Sequence, residues 1–172
     1  NKLSIHRLSG ATPSTFERNP WITGISAAWQ NSIFPMGDDF GFISPRGTVH
    51  SLKATSNYGD YTQAYLSYPI NTFCREDLNH NKSRYWWAAT DSLHGYSLIS
   101  VTRSGQTSND RVLMLDWRFM AQGETWPRWS LWDFGSFASL AQAIDTNNRP
   151  RIFAGGYDGY VYKLDQTTRT HN

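Results

Sequence analysis

Short runs of alternating or continuous β-branched and aromatic residues, broken by Gly, Pro, Asn and Asp, dominate the chain from end to end. Such runs at 3–9, 31–36, 40–43, 48–53, 83–90, 96–103, 111–117, 129–134, 139–144, 151–155 and 160–164 read as strands, because side chains on a pleated strand point to opposite faces in turn. The segments 90–95 and 115–122 lack caps and sustained spacing of three to four residues, so helix is not expected there. The pattern predicts an all-β chain.

A short motif recurs within it, a β-branched residue followed three positions later by Leu. The copies are Ile5-His6-Arg7-Leu8, Val49-His50-Ser51-Leu52, Val112-Leu113-Met114-Leu115 and Val161-Tyr162-Lys163-Leu164, spaced by 44, 63 and 49 positions. Two copies follow a hairpin of one design. Phe40 to Ile43 runs into Ser44-Pro45-Arg46-Gly47, and Ile152 to Gly155 runs into Gly156-Tyr157-Asp158-Gly159, each with a glycine where positive φ is needed. The spacing is close to the length of one β-propeller blade, roughly 40–50 residues. The expected fold is therefore a single propeller segment over 1–172, with four-stranded antiparallel blades near 24–53, 61–117 and 127–165 and an unpaired outer strand at 3–9. The second blade is expected to begin with Gln63, Ala64, Tyr65 and Leu66, and its interval is lengthened by the loop at 71–82. Three blades leave two sheet faces bare, so a larger or oligomeric ring is expected to complete them.

Composition narrows the function classes. Hydrophobic residues at 39% against 17% charged indicate a folded chain, and 15% aromatic content suits half-buried pleated sheets. A net charge of +2 is too small for the usual footprint of phosphate-backbone binding, so sequence-specific nucleic-acid recognition is not expected. No apolar run approaches the roughly 18 residues that span a bilayer, and residues 1–10 lack a signal-peptide core, so a soluble chain without a membrane partner is expected. The single cysteine, Cys74, has no partner for an internal disulfide and reads as a small buried hydrophobe.

No catalytic constellation emerges. His6, His50, His80, His94 and His171 stand without a nucleophile-elbow motif. Asp38-Asp39 and Glu76-Asp77 are adjacent pairs that a strand would point in opposite directions, and Asp38-Asp39 fits a turn after Gly37. Residues 44–49 approach a sialidase-type box, but Arg46 replaces its Asp. The run 77–81 starts like a calcium loop, yet Lys82 stands where Gly is needed and no Glu completes the set. The aromatics are the main candidates for recognition. Trp86, Trp87, Trp126, Trp132 and Tyr157 form the expected ligand or partner surface, to be weighed against packing between sheets. No catalytic, cofactor or metal residue is expected.

Taken in order, Met36 to Ser44, Gly47 to Leu52, Tyr58 to Tyr61, Leu66 to Ile70, Val112 to Asp116, Trp126 to Trp129 and Gly155 to Tyr162 resemble the propeller portion of tail, neck or nozzle structural proteins of short-tailed bacteriophages. The likeness spans about 31–165. It implies a noncatalytic virion component that joins capsid portal to tail or lines the path of DNA exit, with other virion subunits as partners. The alternatives are a lectin-like propeller that binds host glycans through exposed aromatics, and a propeller glycosidase.

Overall fold

The computed structural model describes residues 3–58, 65–133 and 135–164, which form four antiparallel sheets in chain order. β1 (Ser4–Ser9) pairs with β2 (Glu17–Thr23). β3 (Ile33–Met36), β4 (Asp39–Ile43) and β5 (Val49–Ser51) make the second sheet. β6 (Trp87–Asp91), β7 (Tyr96–Val101), β8 (Arg111–Asp116) and β9 (Arg128–Trp132) make the third. β10 (Phe137–Ile144), β11 (Pro150–Gly156) and β12 (Val161–Leu164) make the fourth. All-β architecture is thus present, with one short α-helix among the described residues, α1 (Leu52–Tyr58), and several single turns of 3-10 or π geometry.

Hairpin chemistry fixes the registers. In the β4–β5, β10–β11 and β11–β12 connections, a tight turn closes with its fourth residue at positive φ: Gly47 (82°), Asn148 (57°) and Gly159 (86°). In each, the residue that opens the turn donates its N–H to the carbonyl four positions on: Ser44 to Thr48, Asp145 to Arg149, Gly156 to Tyr160. The left-handed residue turns the chain with the twist that paired strands require.

Strict alternation then divides the third sheet between two cores. On β8, Leu113 and Leu115 enter a core shared with Phe34, Met36, Ile43 and Val49 of the second sheet, while Val112 and Met114 face Leu140, Ile152 and Ala154 of the fourth. β7 is buried at every position, as a strand covered on both faces must be. Each fully buried aliphatic side chain contributes about 1.5–3 kcal/mol, so the sheets are held chiefly by one another's faces. A third, smaller core of Ile22, Ile25 and Phe42 attaches the β1–β2 hairpin to the second sheet.

The sheets approach most closely at their first strands. β6 lies against β3 on one side and β10 on the other, and no comparably close approach joins the third strands β5, β8 and β12. Small side chains permit this, with Ala88 directed to one core and Ala89 to the other. Hydroxyls tie the contacts: Thr90 Oγ1 donates to the Pro35 carbonyl at 2.7 Å, and Ser100 Oγ to the Phe137 carbonyl at 2.7 Å.

The recurring motif takes a matching place in three sheets. Val49, Val112 and Val161 lie on β5, β8 and β12, each the third strand of its sheet. β8 is internal and not an outer strand, since β9 follows it. Ile5 lies on β1, the first strand of the hairpin.

Several expectations need correction. Strand 3–9 is not unpaired; β2 covers it, although Pro20 weakens the strand signal of 17–23, because a proline is tolerated at a sheet edge. β9, expected in the unit at 127–165, completes the sheet of β6–β8, which is the one sheet with four strands among the described residues. The expected strand at 48–53 ends at Ser51, whose Oγ accepts the Ala54 N–H at 3.0 Å and caps α1. Residues His80–Tyr85 form 3-10 turns, so β6 starts at Trp87 and not at Ser83. Tyr65 bridges to His50 of β5, extending the second sheet where a new one was expected to begin. Gln63, Ala64, the stretch 59–61, Phe134 and His171 lie outside the described residues.

Candidate functional site

The five aromatics expected to form a surface do not come together. Trp86 is fully buried in the core between the second and third sheets, with His80 edge-on at 6.2 Å, so it cannot face a ligand. It caps a 3-10 turn just before β6, outside the alternation that would have placed it. Trp87 and Trp132 are half-buried against the core between the third and fourth sheets. Trp126 stacks on Tyr68 with ring centroids 5.0 Å apart. Beside it Trp129, on β9, donates its indole N–H to the Leu66 carbonyl at 2.9 Å. These two rings therefore clamp segment 66–70 to the third sheet.

Tyr157 is half exposed, but its hydroxyl accepts the Asn109 N–H at 3.2 Å. Asn109 is wholly buried and satisfied on every side. Its Nδ2 donates to the carbonyls of Tyr85 (2.8 Å) and Phe137 (3.2 Å), and its Oδ1 accepts the Thr102 hydroxyl at 2.7 Å. The network pins the loop between β7 and β8 to the fourth sheet. Tyr157 is thus an anchor whose ring also borders a groove with Phe137, Asp158 and Tyr162.

The carboxylates are engaged in local structure. Asp38 sits in the β3–β4 turn and pairs with Lys53 at 2.5 Å, which holds its carboxyl below the usual range. Asp39, at the start of β4, accepts the Ser51 hydroxyl at 2.5 Å and the Lys53 N–H at 3.0 Å. Asp116 faces opposing influences: burial raises its pKa, but hydrogen bonds and charge from Arg118 outweigh this and lower it. Asp145 is brought down to about 2, first by the Arg149 N–H and then by Lys163 and the Asn147 N–H. Among the described residues no three or more His, Cys, Asp or Glu side chains gather as metal ligands, and Asp77 to Asn81 passes into a 3-10 turn instead of a cation loop.

One polar row stands apart. Ser44 Oγ and Thr48 Oγ1 are 2.7 Å apart, and Thr48 Oγ1 is 2.7 Å from His50 Nε2, all three residues being buried. The His50 ring stacks on Phe42 at 5.3 Å and meets Tyr65 edge-on at 4.4 Å. Desolvation in this setting pushes its pKa down to about 4, so it is neutral at pH 7. Cys74 is buried, and desolvation raises its thiol to about 12, leaving it unreactive near neutrality.

No protein-family model matches the chain, and no curated protein sequence matches it.

Proposed function

We propose that this chain is a segment of a β-propeller that serves as a noncatalytic structural component of a virion, in the tail or neck of a short-tailed bacteriophage. The propeller part is carried by one observation: successive sheets stack face to face in chain order, closest at their first strands, with the recurring motif on the third strands. Sheets that converge on one side fan out on the other, which is how blades surround an axis. In this reading β1 and β2 occupy the third and fourth places of a further blade, and remaining blades or further copies of the chain complete the ring. The virion part draws on the order of sequence segments that resembles phage tail and neck proteins. Rigidity is the function, supplied by apolar faces buried between sheets.

Electron microscopy of the full-length protein and mass spectrometry of phage particles test the two parts separately. The expected results are a ring with β3, β6 and β10 nearest the axis, and the protein present in purified particles at the tail or neck. An open stack whose first strands line no axis overturns the propeller reading, and absence from particles overturns the virion reading. A glycan array should be silent, because Trp86, Trp87, Trp126, Trp132 and Tyr157 form no common exposed platform.

A further inference from the structure

A cleft of about 390 Å³ is lined by Leu3 and Ile25 from the region of the first hairpin, by Ser44, Arg46 and Thr48 from the turn of the second sheet, and by Arg75 from the turn Phe73–Asp77. Arg46 and Arg75 are exposed, and neither has an ion-pair or side-chain hydrogen-bond partner among the described residues. The described lining brings two cations and no carboxylate. Two guanidiniums with no counter-charge among the described residues of one concavity attract a planar or tetrahedral oxyanion, which each can hold through paired N–H donors.

The buried polar row points the same way. Ser44 is 3% and Thr48 7% exposed, and both line the cleft. His50 Nδ1 has no hydrogen-bond partner among the described residues. Were Nδ1 to carry the proton, a buried N–H donor would be stranded, whereas a proton on Nε2 leaves only a bare lone pair, the cheaper defect. With Nε2–H donating to Thr48, the Thr48 hydroxyl donates to Ser44 Oγ. That oxygen also accepts the Arg46 N–H at 3.2 Å. The Ser44 proton then remains to be given to an acceptor in the cleft.

We propose that this cleft binds a small ligand through an oxyanion, a carboxylate or phosphate held between Arg46 and Arg75 and receiving a hydrogen bond from Ser44, with its apolar part against Leu3 and Ile25. The site is independent of the propeller assignment. Sequence alone gave no hint of it, because Arg46 reads as a turn residue and Arg75 as part of a loop, with nothing local to join them.

Two-dimensional amide NMR of the full chain at low salt tests it, with inorganic phosphate and benzoate titrated separately and benzyl alcohol as the uncharged control. Saturable shifts at the amides of Arg46, Gly47 and Thr48 are expected with at least one anion, and which anion binds identifies the oxyanion geometry selected. Arg46→Gln and Arg75→Gln should each weaken binding about tenfold or more, Ser44→Ala several-fold, and Arg84→Gln not at all. Thermal melts of the exposed arginine variants check that they fold as the parent does. Non-saturating shifts with both anions, undiminished binding in the doubly substituted Arg46→Gln, Arg75→Gln protein, or equal binding of benzyl alcohol would each overturn the site.

Discussion

The sheet β6–β9 and the hairpin β1–β2 carry the same short motif and meet opposite fates. In the former, Val112, Leu113 and Leu115 are at most 1% exposed, because a neighbouring sheet covers each face. In the latter, Leu8 is 61% exposed and Trp21 47%, and the attachment rests on Ile22, Ile25 and Phe42 with partly buried Ile5. A strand-forming pattern therefore makes a strand in both places, but only lateral packing makes it a stable one. Local sequence sets pairing and register; the neighbouring faces supply the free energy.

The sharpest way to break this comparison is to truncate equivalent leucines. Leu115→Ala opens a cavity in the doubly covered sheet and should cost about 2–5 kcal/mol, whereas Leu8→Ala should stay within about 0.5 kcal/mol. Urea denaturation of the two variants measures the difference, and equal losses would dissolve the contrast.

Acid should act on the packed region through His50. Its folded pKa of about 4 lies below the ordinary 6.5, so the unfolded chain takes up a proton first as pH falls. Stability is complete above about pH 6.5 and declines toward pH 4, by up to about 3 kcal/mol. Urea midpoints at pH 7, 5.5 and 4 should show this slope, and His50→Gln should flatten it.

A smaller effect is expected where segment 66–70 is clamped. Trp129→Phe keeps an aromatic ring but removes the indole N–H bonded to the Leu66 carbonyl, which should cost about 1 kcal/mol. The Tyr68–Trp126 stack should persist, so ring-current shifts of Tyr68 in NMR spectra should change little. Loss of those shifts would mean that the hydrogen bond, and not stacking, holds the segment.

Much of the local order is legible in the sequence. The β-branched residue and its Leu three positions later located β5, β8 and β12, and Gly47 and Gly159 located their turns, because strand alternation and positive φ leave marks on single residues. Sheet membership did not. The connection 117–127 between β8 and β9 is longer than 133–136 between β9 and β10, so β9 stands nearer in sequence to the sheet it does not join. β9 is also an edge strand with weak alternation in burial, which blurs its allegiance. Pro20 conceals β2, and Ser51, a good helix cap, ends a strand-like run that hides the start of α1. The aromatic residues scatter for a different reason. Ring type says that a side chain buries well or stacks well, but which of Trp86 and Trp126 does so on a core or on a loop is decided by residues distant in sequence. The cleft at Arg46 and Arg75 was invisible for the same cause.

Native-state hydrogen exchange tests the role of lateral packing most directly. Amides of β7, covered on both faces, should exchange only through global unfolding, while those of β1 and β2 should open locally at a much lower free energy. Equal protection in the two regions would contradict the idea that each sheet is stabilised by the faces beside it.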